Sequence, residues 1–133
     1  MALQFQRAGY NVRVIDDGRE GSSHIAAGLV NPVAGRNFEP SWEVEKAWER
    51  ALPFYQSLGE GLFHSVPILR LWSDEKDRSK FERKRNLLKP WIAEVTDEGV
   101  LWAKGGWLDC PRFLEVAREE FLARGGEWHA APK

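Results

Sequence analysis

Two adjacent carboxylates at the end of an apolar run are the residues of this chain best placed for chemistry. In VRVIDDGREGSSHIAAGLVNPVAGR, residues 12–36, Val12, Val14 and Ile15 spell a short strand that ends on Asp16 and Asp17, with Gly18 as the turn. An acidic side chain at the carboxyl end of such a strand in a nucleotide-binding α/β fold accepts hydrogen bonds from ribose hydroxyls. Asp16 is placed for that role, and Asp17 takes it if the strand runs one residue further. Ser22 and Ser23 offer hydroxyls and backbone N–H groups to phosphate oxygens. Ala26, Ala27 and Gly28 lack bulk, so a flat ligand can lie against their backbone. The same residues also have a plain structural account: Asp-Asp-Gly is a common turn and Ala-Ala-Gly a common helix end. Spacing alone slightly favours the plain account.

The other candidates weigh less. Arg36, beyond Pro32 and Gly35, can reach a carboxylate or phosphate, although most loop arginines are simply solvated. His24 stands beside the small-residue run, at what reads as a helix start. His64 and His129 have no spaced partners, and Cys110 is the one cysteine, so no zinc centre is expected. Cys110 reads as a packed thiol in the first turn of a helix. EKDRSKFERKR mixes charges as a solvated helix face does. Asp109 reads as a helix cap.

Specific elements must hold these residues in place. Ala2, Leu3, Phe5 and Ala8 follow a helical pattern closed by Gly9. The strand over residues 12–16 is short enough for a buried parallel strand. Ser22 or Ser23 caps a short helix that ends at Gly28, and residues 29–38 read as an irregular loop. Ser41 caps a helix whose face is Val44, Trp48, Ala51, Leu52, Tyr55 and Leu58, with Pro53 expected to kink or split it. VPILRLW, residues 66–72, is apolar on both faces and reads as a central strand. A charged helix runs from Asp74 to Leu88, capped by Ser73 or Asp74. Strand residues from Val100 to Trp107 break at Gly105-Gly106. A helix with Pro111 in its first turn buries Phe113, Ala117 and Phe121 and stops at Gly125-Gly126, and residues 127–130 start another strand. This order predicts an α/β or α+β mixed fold.

The bulk numbers narrow the classes. The 133 residues suffice for one modest core, and the 43% hydrophobic and 29% charged fractions suit a globular protein. A net charge of −1 argues against a nucleic-acid partner. No apolar run reaches membrane-spanning length, no signal-peptide core is present, and one cysteine fits a reducing, cytoplasmic setting. Seven tryptophans are spread along the chain as core and interface anchors rather than as one stacking motif.

GYNVRVIDDGREGSSHIAAGLVNPVAGR resembles the region after the glycine loop in FAD-dependent oxidoreductases of the D-amino acid oxidase and glycine oxidase superfamily. Arg7 and Gly9, the strand to Asp16, Ser22-Ser23 and Ala26-Ala27-Gly28 carry the match. GGWLDCPRFLEVAREEFLARGGEW resembles that family's return into its cofactor domain, and VPILRLWSDEKDRSKFERK has the look of its substrate domain. The resemblance implies a partial Rossmann-like FAD-binding domain over residues 1–60, part of an inserted substrate domain over 61–109, and the return helix and strand over 110–133. It implies FAD held by Asp16 or Asp17, Ser22, Ser23 and the run Ala26, Ala27, Gly28 and Leu29. It also implies a small amine or amino-acid substrate, with Arg36 as a candidate contact, and hydride transfer to the flavin. Relatives process glycine, D-amino acids, sarcosine and a modified tRNA nucleoside, and no catalytic residue is matched.

The departures matter equally. The family's first strand and its G-x-G-x-x-G turn, whose last glycine would stand about ten residues ahead of Gly9, are not in this sequence, nor is the distal part that supplies further flavin contacts. The expectation is therefore an internal piece of a flavoenzyme, inactive alone, whose exposed strand edge near Val12, Val14 and Trp128 calls for a second copy or a complementary segment. The alternative is a non-catalytic α/β module for nucleotide binding or interaction.

Overall fold

The computed structural model describes residues 1–19 and 21–131. Helix α1 (Ala2–Arg7) leads into strand β1 (Arg13–Asp16), and helix α5 (Cys110–Ala123) leads into strand β10 (Glu127–Ala130). Both helices end in the same way. Gly9 N–H donates to Gln6 O and Tyr10 N–H to Phe5 O, while Gly125 N–H donates to Leu122 O and Gly126 N–H to Phe121 O. These paired bonds close a helix by satisfying its last carbonyls. Phe5 and Tyr10 meet edge to face across the first closure. Gly126 lies so close to the Phe121 ring that a Cβ there would overlap it.

The two closures bring β1 and β10 together as a parallel pair, Arg13 opposite Glu127 and Asp16 opposite Ala130. Gln6 ties the helices to each other, its amide donating to Phe121 O at 3.0 Å and Arg124 O at 3.3 Å. Val12, Val14 and Trp128 pack against Leu3, Leu58, Leu62, Leu108 and Phe121. The apolar side chains of these three residues therefore pack against that core, while the second backbone edge of β1 pairs with no described strand. The strand is not buried on both faces either. Ile15 is 65% exposed on the far side, beside Arg13, Glu127 and His129. Donation from Arg13, with a second contribution from His129, holds the Glu127 carboxyl below the usual carboxylate range.

Between the two halves of this unit lie α2 (Ser22–Ile25), β2 (Leu29–Val30), β3 (Val33–Ala34), β4 (Glu39–Pro40), α3 (Val44–Gln56), β5 (Phe63–Ser65), β6 (Ile68–Leu71), α4 (Glu75–Leu88), a 3-10 turn at Lys89–Trp91, β7 (Ile92–Val95), β8 (Gly99–Trp102) and β9 (Gly106–Leu108). Three antiparallel groups result: β2-β9-β5, the β3-β4 hairpin, and β6-β8-β7. A second core of Val33, Phe38, Phe81, Leu88, Trp91, Val100 and Trp102 joins α4 to β8 and to the hairpin. The described residues therefore build two core clusters where the length predicted one.

Several local expectations change. Residues 29–38 contain β2 and β3 rather than loop alone, because Val33 and Phe38 are drawn into the second core. Strand β6 lies at the edge of its sheet, with Leu69 and Leu71 exposed, and β8 takes the central place. Strands β5 and β7 carry no strong pattern of their own and were not expected. Glu43 rather than Ser41 precedes α3 as its cap residue, and the helix runs through Pro53 unbroken. Proline there has no N–H to donate to the Glu49 carbonyl, and both residues are exposed, where water can meet such a carbonyl. Asp74 and Asp109 cap α4 and α5 as expected, accepting from Asp77 N–H at 2.7 Å and Arg112 N–H at 3.1 Å.

Tyr55 of α3 stacks on Phe63 and meets Phe113 edge-on. Burial pushes its hydroxyl above the ordinary 10.0, and the Cys110 thiol nearby adds to the rise. The folded state therefore keeps the tyrosine proton to higher pH than the unfolded chain does. The resulting stabilisation is complete below about pH 10 and is lost as pH rises through the folded value. Tyr55→Phe is expected to gain on the wild type above about pH 10, read as the difference in urea midpoints. A difference that stays constant with pH refutes this linkage.

Candidate functional site

Strand β1 delivers Asp16 to the carboxyl end of the parallel pair, the end at which open α/β sheets bind ligands. Its backbone is pinned, since Ala131 N–H donates to Asp16 O at 2.8 Å. The half-buried side chain accepts from Gly18 N–H through Oδ1 at 3.3 Å. Oδ2 has no protein partner among the described residues. Asp17 is committed elsewhere: it accepts from Arg19 N–H at 3.0 Å and pairs with the Arg19 guanidinium at 3.3 Å. The structure thus separates two carboxylates that the sequence left equivalent.

Ser22 and Ser23 are the first two residues of α2, exposed, and neither caps the helix. Gly21 occupies the cap position, and its N–H donates to His24 Nδ1 at 3.1 Å. His24 is thereby engaged in closing its own helix start. The helix ends at Ile25, so Ala26 and Ala27 form an exposed, extended link instead of its last turn.

Gly28 and Leu29 are placed by the neighbouring strand. Gly28 has φ +67°, its carbonyl accepts from Leu108 N–H at 2.9 Å, and a Cβ would overlap the Leu108 carbonyl oxygen. The missing side chain therefore makes room for the Leu108 backbone at the end of β9. Leu29 pairs with Trp107, which pairs in turn with His64. The His64 and Trp107 rings lie parallel, 3.9 Å apart. Leu29, 62% exposed, and Trp107, 41% exposed, form with His64 a surface row that the sequence did not reveal. Only strand register creates it.

Arg36 belongs to another place. It sits in the β3-β4 turn and lines a cleft of about 530 Å³ with residues of β6 and α4, and no described residue from 16 to 29 lines that cleft. A second cleft, about 540 Å³, lies between Tyr10–Arg13 and Arg124–Glu127. That is the amino end of the parallel strands, opposite the Asp16 end. Among the described residues, no group of three His, Cys, Asp or Glu side chains is placed to hold a metal. No described helix is long and apolar enough to cross a membrane.

These elements define a mixed α/β protein: a helix-backed parallel strand pair joined to antiparallel sheets, with no closed barrel among the described strands. Solved structures similar to it include two glycine oxidases. That from Bacillus cereus ATCC 14579 matches with TM-score 0.66 and 18% identity, over 97% of this chain and 43% of its own. That from Geobacillus kaustophilus matches with TM-score 0.71 and 15% identity, over 97% of this chain and 42% of its own. The likeness is one of fold, and this chain spans less than half the length of either neighbour. No protein-family model matches the chain. No curated protein matches it either.

Proposed function

We propose that this chain is part of an FAD-dependent oxidoreductase acting on an amine or amino acid, and that it is inactive by itself. The observation that carries the reading is Asp16: a half-buried carboxylate at the carboxyl end of a parallel strand, with one oxygen outside any hydrogen bond to the described residues. Such a group fits a ribose hydroxyl. The fold likeness to glycine oxidases along nearly the whole chain supports the same reading. The fit is partial. Ser22, Ser23, Ala26 and Ala27 are open to a ligand, whereas Gly28 is filled by the Leu108 backbone and serves packing first. When bound, FAD supplies the hydride acceptor, and this chain's contribution is to hold its adenosine end. In this reading residues 1–60 and 110–133 belong to the cofactor domain and 61–109 to a substrate domain. Among the described strands β1 pairs with β10 alone, so its other edge is open to a strand from a flanking segment or a second copy.

Adenosine, which has a ribose but no phosphate, tests the reading. Titrated into the ¹⁵N-labelled chain, it is expected to shift the Asp16 and Gly18 amides, and Asp16→Ala should weaken that binding about tenfold or more. Binding indifferent to Asp16→Ala removes the ribose assignment. Added FAD is expected to form no stoichiometric complex with the chain alone. A tight one-to-one flavin complex on a monomer by light scattering would show that the chain is sufficient and needs no partner strand.

A further inference from the structure

The cleft that holds Arg36 gathers charge from three elements: the β3-β4 turn, β6, and the first turns of α4. Arg36, Arg70, Lys76 and Lys80 line it, and Asp74 and Asp77 are its carboxylates. Arg70 is fixed on three sides. Its guanidinium lies 3.6 Å from the Phe38 ring centroid, donates to Gly35 O at 2.7 Å and pairs with Asp77 at 3.3 Å. Asp77 is buried and also accepts from Ser73 N–H, so this pair is neutral and rigid. Asp74 is used in capping α4.

Arg36, Lys76 and Lys80 have no carboxylate partner among the described residues. With Asp74 the one unpaired carboxylate, the cleft carries two surplus positive charges, in a chain whose net charge is −1. Like charges collected in a concave site repel one another unless a counter-ion joins them.

We propose that this cleft binds a dianionic phosphoryl group. A dianion matches the surplus, whereas a single carboxylate would leave one cation unmet. The forked donors of arginine and the point charges of lysine suit tetrahedral oxygens approached from several sides. The site lies apart from the ribose site at Asp16, because none of the described residues from 16 to 29 lines it.

The test is an NMR titration of the ¹⁵N-labelled full chain with inorganic phosphate at about pH 8, where phosphate is a dianion. Malonate and sodium chloride at matched ionic strength are the controls. The expected result is saturable shifts at Arg36, Arg70, Lys76 and Lys80, about tenfold tighter for phosphate than for malonate. The double variant Arg36→Ala/Lys80→Ala should weaken binding at least about tenfold with an unchanged urea midpoint, and Asp16→Ala should leave it unchanged. Phenyl phosphate binding as tightly as phosphate identifies an ester as the ligand and weaker binding the free ion, and both uphold the phosphoryl site. Shifts that follow salt alone mean an adventitious ion only and overturn the proposal. So do equal affinity for malonate, indifference to the double variant, or equal loss with Asp16→Ala.

Discussion

Gly28→Ala is expected to destabilise the protein by at least about 3 kcal/mol, a larger effect than at any glycine in open space. Three costs combine. A side chain at φ +67° is strained by about 1 kcal/mol. The new Cβ overlaps the Leu108 carbonyl oxygen, and both partners are backbone, so no rotamer change relieves the clash. Moving the strands apart also breaks the bond from Leu108 N–H to Gly28 O, a loss of about 1 kcal/mol. Gly35→Ala is the matched control: its φ is +77° with nothing near the would-be Cβ, so strain alone should appear. Urea unfolding of the two variants decides the matter. Equal midpoints would mean that Leu108 moves aside freely and that the small residue at 28 serves something other than this crossing.

Trp102 should show the second large effect. It is fully buried at the end of β8, the central strand of its sheet, with Phe81 edge-on to its ring. Trp102→Ala is expected to cost about 3–5 kcal/mol through lost contacts and the cavity left behind. The indole N–H complicates the comparison, because it is buried without a hydrogen-bond partner among the described residues. A polar group in that state destabilises the fold it sits in. Trp102→Phe removes this burden while keeping an aromatic ring, so its cost should be only about 1–2 kcal/mol. A Trp102→Phe penalty equal to that of Trp102→Ala, again by urea midpoint, would show that the N–H contributes a bond in solution.

Legibility in the sequence followed the range of the interaction. The caps at Asp74 and Asp109 and the glycine closures at Gly9 and Gly125 were readable because each is satisfied within a few residues of itself. Strand identity was less readable. VPILRLW looks central by composition, yet β6 is an edge, since which strand takes the middle depends on what pairs with it. Arg70, the lone cation in that apolar run, was the available signal for the charged cleft, and only the fold sets it beside Lys80 and Arg36.

The sequence by itself determined the helices, the mixed α/β character and Asp16 at the end of a strand. These follow from periodicity and capping, which act over one or two turns. Tertiary structure decided three further matters: that β1 pairs with β10 from the far end of the chain, that Asp16 rather than Asp17 keeps an oxygen free of the described residues, and that Gly28 is small for Leu108. Each depends on groups distant in sequence meeting at hydrogen-bond or van der Waals range, and packing alone sets those distances.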